Sequence, residues 1–68
     1  MKLSVLVGIN LRKYRLSSKL SQESLAIKAK LHPNYISLLE RGGANVSVDT
    51  IERICKVLKV KPYELLKD

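Results

Sequence analysis

Two short helical segments within residues 22–41 constrain the fold of this chain more than any other feature. Ser21 stands in front of the first segment as a predicted N-cap, and Glu23 lies in its first turn, where the helix dipole favours a carboxylate. Pro33 stands at the start of the second segment, because proline lacks a backbone N–H and fits only the first turn of a helix. The turn between them is Ala29-Lys30-Leu31, and Ala26 supplies the small residue that two steeply crossed helices need at their contact.

The remaining apolar residues also recur at helical spacing, and no strand pattern is present. The first segment has an apolar stripe of Leu3, Val7, Leu11 and Tyr14, and a later one begins at the predicted N-cap Ser47 and buries Ile51, Ile54, Cys55 and Leu58. Pro62 predicts a last helix start. We therefore expect an all-α fold: one compact five-helix bundle, a single domain over residues 1–68.

Three lysines stand where a helix is expected to end and where glycine would be usual: Lys19, Lys30 and Lys59. A non-glycine residue in the left-handed conformation costs about 1 kcal/mol. A cation near a helix C-terminus returns a few tenths to about 1 kcal/mol. We therefore expect these lysines to be nearly neutral for stability and to place positive charge on the connecting loops.

The charge balance points to a polyanionic partner. The 68 residues include 13 basic and 6 acidic ones, for a net charge of +7, and the first 22 residues hold five basic residues and no acidic one. A basic surface of this kind is typical of nucleic-acid-binding proteins. A charge that serves only solubility is the alternative.

The rare residues exclude other classes of function. The chain has one cysteine, Cys55, and one histidine, His32, too few for a disulfide or a multi-ligand metal site. The two residues also form no nucleophile pair. We therefore expect no enzyme, no cofactor and no small-molecule substrate. Cys55 is expected to be a buried small hydrophobe. The longest apolar run is far below the ~20 residues of a membrane span, and we expect a cytoplasmic protein.

The segments "VGINLRKYR", "LSQESLAIKAKLHPNYISLLERG", "NVSVDTIERICKVLKV" and "PYELL" resemble, in order and spacing, the lambda-repressor-like helix-turn-helix family of the Cro and repressor type. The resemblance covers nearly the whole chain, and the motif itself spans about residues 22–41. Within the family, the chain is similar to the small controller proteins of restriction–modification systems. It departs from the family pattern at the three lysines, at Ser24 and at Val46.

The resemblance implies a double-stranded DNA partner and assigns residues to roles. Positions from which relatives reach base edges are occupied by His32, Pro33, Asn34 and Leu38. Positions that contact the DNA backbone are occupied by Ser21, Gln22, Arg41 and the loop that includes Gly43 and Asn45. Arg15 and Glu40 match a structural salt bridge. A homodimer surface is expected on the C-terminal helix, with Val60, Tyr63 and Leu66 as candidates.

The chemistry of each side chain leaves alternatives open. Asn34 can bond bidentately to adenine, and Leu38 can meet thymine methyl groups or be partly buried against a neighbouring helix. Ser37 either bonds a base or merely permits close approach, and His32 either caps the helix or touches a phosphate. Tyr35 is expected to pack on the first motif helix with its hydroxyl free for a phosphate.

The predicted function is sequence-specific DNA-binding transcriptional regulation, with a homodimer on an inverted-repeat operator and the helix of about residues 33–41 in the major groove. Two alternatives from other classes stay open. One is an antitoxin-like protein-interaction module, and the other is a nonspecific basic DNA binder.

Overall fold

A computed structural model describes residues 2–68 and places four α-helices along that range. They are α1 (Leu3–Ser17), α2 (Gln22–Ala29), α3 (Pro33–Glu40) and α4 (Val48–Leu58), followed by a 3₁₀ helix at Pro62–Leu66. Helix α3 packs against α1 and α2, α4 packs against α2, and the 3₁₀ helix packs against α1 and α4. The prediction of an all-α fold is confirmed, since residues 2–68 contain no strand.

The prediction of five helices is wrong, because the last predicted helix is a 3₁₀ helix. It is only five residues long, and the Glu64 N–H donates a hydrogen bond to the Lys61 carbonyl at 2.9 Å. Such i→i+3 bonds form short pieces rather than continuous helices. The carbonyls of Leu65 and Lys67 accept instead from a side chain of α1, described below.

Serine side chains start two of the helices, as predicted. The Ser21 hydroxyl accepts from the Ser24 N–H at 2.9 Å, and the Ser47 hydroxyl accepts from the Thr50 N–H at 3.0 Å. Each bond satisfies one of the N–H groups that a helix start leaves without a partner. Helix α1, which begins without a side-chain cap, depends on its packing instead.

Lysines end the helices in the left-handed conformation that the sequence predicted. The φ angles are 58° at Lys19, 59° at Lys30 and 59° at Lys59, and each residue follows the C-terminal end of a helix. Glycine adopts this conformation without the steric penalty that a Cβ brings. Backbone strain and positive charge are therefore combined at three helix ends.

Position 59 allows the strain to be measured separately from the charge. We expect Lys59→Gly to be more stable than Lys59→Ala by about 1 kcal/mol, because both remove the ammonium group and only alanine keeps a Cβ at positive φ. Denaturant unfolding of the two variants measures the difference. Lys61 has a φ of −83°, so at that position we expect no advantage of glycine over alanine. Equal stabilities at position 59 would contradict the strain.

One apolar core joins all the elements. Its largest fully buried side chains come from every helix: Leu11, Leu25, Ile36, Leu39, Ile54 and Leu65. The predicted stripe of α1 is correct at Val7 and Leu11, but Leu3 is 65% exposed and does not enter the core. Leu3 begins α1, one turn beyond the last buried residue, so nothing within the core reaches it.

A buried polar residue ties α1 to the end of the chain. Asn10 is 8% exposed, and its side-chain amide donates to the Leu65 carbonyl at 2.9 Å and to the Lys67 carbonyl at 2.8 Å. Buried polar groups require such partners, because an unpaired one costs its full desolvation. Asn10 therefore holds the 3₁₀ helix on α1.

A glycine allows α1 to lie directly on the end of α3. A Cβ added to Gly8 would stand 2.4 Å from the Leu39 carbonyl oxygen and 2.8 Å from the Glu40 carbonyl oxygen. Both neighbours are backbone atoms, so no side-chain rotation could relieve the contact. Gly8 thus sets the distance between α1 and α3, the helix that carries the predicted base-contacting residues.

Candidate nucleic-acid interface

The start of α3 is held by a histidine cap. The Nδ1 of His32 accepts from the Asn34 N–H at 3.0 Å, and Pro33 occupies the first helical position. Of the two roles considered for His32, the structure therefore shows the cap. In the neutral ring the proton lies on Nε2, which leaves that nitrogen able to donate. His32 and Asn34 are both exposed, and Pro33 between them is half-buried.

Asn34, Ser37 and Leu38 form the outward face of α3. They are spaced three and four residues apart, so they lie on one side of the helix. Leu38 is 37% exposed and rests against the backbone of Gly43, where an added Cβ would stand 2.9 Å from its Cδ1 atom. Leu38 is thus exposed, with part of its side chain against the following loop. Its free methyl surface lies beside an amide and a hydroxyl, a mixture suited to base edges.

An ion pair holds α1, α2 and α3 together behind this face. The Arg15 guanidinium donates to both carboxylate oxygens of Glu40, from Nε to Oε2 and from Nη2 to Oε1 at 3.0 Å. Its Nη1 donates to the Leu20 carbonyl at 2.8 Å. The Glu40 side chain is only 3% exposed and the Arg15 side chain 8%. This bidentate geometry in a buried setting is the strong form of such a pair.

Gln22 joins the same network. Its side-chain amide donates to Glu40 Oε1 at 3.0 Å, and Arg12 lies 3.9 Å from the same oxygen. An amide nitrogen has two N–H groups, so one is held by Glu40 and the other remains for a phosphate. Glu40 therefore orients the side chain that begins α2. From the sequence, Gln22 and the ion pair were predicted as separate features.

Two predicted backbone contacts have their hydroxyl protons engaged inside the protein. The Tyr35 hydroxyl donates to the Asn45 carbonyl at 3.1 Å, so the prediction that it is free for a phosphate is wrong. This bond closes the loop after α3 onto α3 itself. Ser21 donates its hydroxyl proton to the Ser24 hydroxyl at 3.0 Å while capping α2. Each hydroxyl is left only as an acceptor, which a phosphate does not need.

The loop after α3 presents the other predicted backbone contacts. Arg41, Gly43 and Asn45 are all exposed. The Arg41 Nε donates to the Ser37 carbonyl at 3.3 Å, which leaves its Nη groups unassigned. A guanidinium carries five N–H donors, so this bond leaves most of them available to a phosphate.

The predicted dimer residues differ in exposure. Tyr63 is 59% and Leu66 48% exposed, whereas Val60 is partly buried against the core. Leu66 also lines an apolar cavity of about 290 Å³, together with Leu3, Ser4, Val7, Asn45, Val46 and Ile51. Tyr63 and Leu66 are therefore accessible to a partner, whereas Val60 packs against the core.

Cys55 is buried in the core, as predicted. Burial raises the pKa of its thiol, and the nearby charge of Glu64 raises that pKa further. Since the thiolate is the reactive form, Cys55 is an inert core residue at neutral pH.

Comparison with known proteins identifies the family. A family model described as helix-turn-helix (HTH_3) matches residues 11–65. The control protein C.BamHI of Bacillus amyloliquefaciens is 52% identical over 63 residues, which is 91% of this chain and 78% of that protein. The chain therefore belongs to the helix-turn-helix family of DNA-binding regulators predicted from its sequence.

Solved structures agree at the level of the backbone. The restriction-modification controller protein C.AhdI from Aeromonas hydrophila superposes with a TM-score of 0.88 at 39% identity, over 91% of this chain and 94% of that one. The biofilm master regulator SinR, crystallised in complex with DNA, superposes with a TM-score of 0.86 at 32% identity, over 90% of this chain and 98% of that one. The names of these relatives describe regulators.

A membrane span requires a long, apolar helix, and the part of the chain from residue 2 to residue 68 contains none.

Proposed function

We propose that this chain is a sequence-specific DNA-binding transcriptional regulator that binds an inverted-repeat operator as a homodimer. The observation that carries the proposal is the exposure of His32 and Asn34 at the start of α3, which no other element of the described chain covers. A helix presented in this way can enter the major groove, which is about 12 Å wide. The relatives described above are controller proteins and a regulator crystallised with DNA, which supports this assignment.

In the proposed mechanism, affinity and selectivity come from different residues. Gln22, Arg41, Gly43 and Asn45 hold the domain on the phosphates, and such contacts carry no sequence information. Selectivity is supplied by the outward side chains at and after the start of α3: His32, Pro33, Asn34, Ser37 and Leu38. Pro33 has no donor, so it provides only van der Waals contact.

A homodimer doubles the sequence that is recognised. One short helix reads only a few base pairs, whereas a two-fold dimer engages two half-sites about 34 Å apart on one face of the duplex. Tyr63 and Leu66 are the exposed apolar residues proposed for its surface, together with the partly buried Val60. The dimerisation equilibrium then makes occupancy of the operator depend on protein concentration.

Selection of bound sequences from a random duplex pool, repeated at two salt concentrations, tests the proposal. We expect enrichment of an inverted repeat whose half-sites are one helical turn apart. Retention of unrelated duplexes with no sequence enriched would indicate the nonspecific basic binder. If no duplex is retained at either concentration, the antitoxin-like interaction module becomes the better assignment.

Asn34 provides the sharpest test of base readout. We expect Asn34→Ala to reduce the preference for the selected duplex over a scrambled one by about 1–3 kcal/mol, because a bidentate contact to a base is lost. Titration of both duplexes at fixed salt measures the preference. Asn45→Ala is the matched control, since a lost backbone contact weakens both duplexes equally. An unchanged preference in Asn34→Ala would remove Asn34 from the readout.

A further inference from the structure

A basic groove lies between α2 and α4, away from the residues assigned so far. It has a volume of about 340 Å³ and is lined by Lys28, Ala29, Lys30, Arg53, Lys56 and Val57. Four of these six residues are cations. Ala29 belongs to the core, and Val57 packs against it. The four cationic side chains therefore form the rim of the groove.

Little negative charge offsets this rim. Arg53 pairs with Asp49 at 3.2 Å across one turn of α4, and both side chains are largely exposed. Glu52, on the same helix, is exposed as well. No ion pair involves Lys28, Lys30 or Lys56 in the part of the chain from residue 2 onward. An excess of unpaired cations around one concavity attracts an anionic partner.

The position of Lys30 brings the groove next to the start of α3. Lys30 is two residues before the cap His32, and two residues of chain span at most about 7 Å. The major groove is about 12 Å wide, so a backbone this close to its centre lies beside one of its phosphate edges. Once α3 is docked as proposed above, the Lys30 end of the basic groove therefore lies close to a phosphate edge of the major groove.

We propose that the basic groove (Lys28, Lys30, Arg53 and Lys56) binds the phosphodiester backbone flanking the half-site of the same duplex. This inference rests on the proposed function, because it places the groove by docking α3. The groove extends the footprint beyond the bases that α3 reads. It contributes affinity without selectivity, since phosphates are the same in every sequence.

Paired charge removals on the full chain test the groove. The test variant carries Lys28→Gln and Lys56→Gln, and the control carries Lys61→Gln and Lys67→Gln, which lower the net charge by the same amount at exposed positions elsewhere. Each is titrated with the selected duplex and with a scrambled duplex of equal length, across a range of salt concentrations. Sedimentation verifies that both variants keep the oligomeric state of the parent.

The expected result is a change in the salt dependence of the test variant only. Each lost phosphate contact lowers the slope of log K against log salt by about 0.9, which corresponds to about eightfold in affinity at 0.1 M salt relative to 1 M. The test variant should therefore lose about 1.8 in slope and weaken equally on both duplexes. Trimming the flanks of the duplex should weaken the parent more than the test variant, which keeps only Lys30 and Arg53 in the groove.

Equal slopes for the test and control variants would overturn the inference. Such a result leaves the proposed function intact, provided that the parent still prefers the selected duplex. Absence of any preferred duplex for the parent would overturn the proposed function itself and the groove assignment with it.

Discussion

Replacing Glu40 with alanine is expected to destabilise the protein by about 3–5 kcal/mol, the usual cost of removing one partner of a buried ion pair. Glu40 accepts from Arg15 and from Gln22, and its side chain is 3% exposed. Without Glu40, the Arg15 guanidinium would stay in the interior with its charge uncompensated. Since small domains are stable by only about 5–15 kcal/mol, a large share of the free energy of unfolding should be lost. Urea or thermal unfolding measures the change.

Two further variants separate burial from charge. Arg15→Met combined with Glu40→Leu removes both charges, and we expect it to recover much of the loss, because buried pairs exchange for apolar residues at little net cost. Asp49→Asn breaks the exposed pair with Arg53 and should cost no more than about 1 kcal/mol. If Glu40→Ala costs as little as Asp49→Asn, the buried pair does not hold the three helices together.

Replacing Gly8 with alanine is expected to cost about 3 kcal/mol, the upper part of the usual range for overpacking. The new Cβ would meet the carbonyl oxygens of Leu39 and Glu40 at distances that real Cβ atoms do not show. Only a separation of α1 from α3 relieves such a contact, and that movement also pulls Arg15 away from Glu40. We expect the unfolding midpoint to fall accordingly, with weaker DNA binding in the folded fraction.

The direction of the stability change in Gly8→Ala makes the variant informative. At an exposed helical position, glycine to alanine stabilises by about 1 kcal/mol, because alanine is the better helix former. Ser17→Ala, at the exposed end of the same helix, should change stability by no more than about 0.5 kcal/mol. A neutral or stabilising Gly8→Ala would mean that α1 and α3 are farther apart than the structure places them.

Local rules predicted most of the helices. Ser21, Ser47 and Pro33 begin helices where the sequence placed them, because capping and proline geometry depend on neighbouring residues alone. The lysines at helix ends were also predictable, because a helix that ends in the left-handed conformation without glycine places another residue at positive φ. The end of the chain was not, because a tertiary bond from Asn10 to Leu65 decides its form.

The candidate site was predictable in outline and not in its internal bonds. The layout of residues 22–41 predicted an exposed start of α3, and the resemblance assigned its residues to roles that remain predictions. The bonds of Tyr35 to Asn45 and of Gln22 to Glu40 join residues 10 and 18 positions apart. The spacing of residues along the sequence does not predict such hydrogen bonds. The groove between α2 and α4 forms only when the two helices pack against each other, so it could not be predicted either.

The contact made by Asn10 has a consequence for how the molecule opens. A single amide near the beginning of the chain holds two carbonyls 55 and 57 positions away. Residues 65–67 therefore cannot leave α1 without breaking these bonds. Their departure would deprive a buried amide of its acceptors and disturb α1 at the same time. We therefore expect α1 and the 3₁₀ helix to open together, as one cooperative unit.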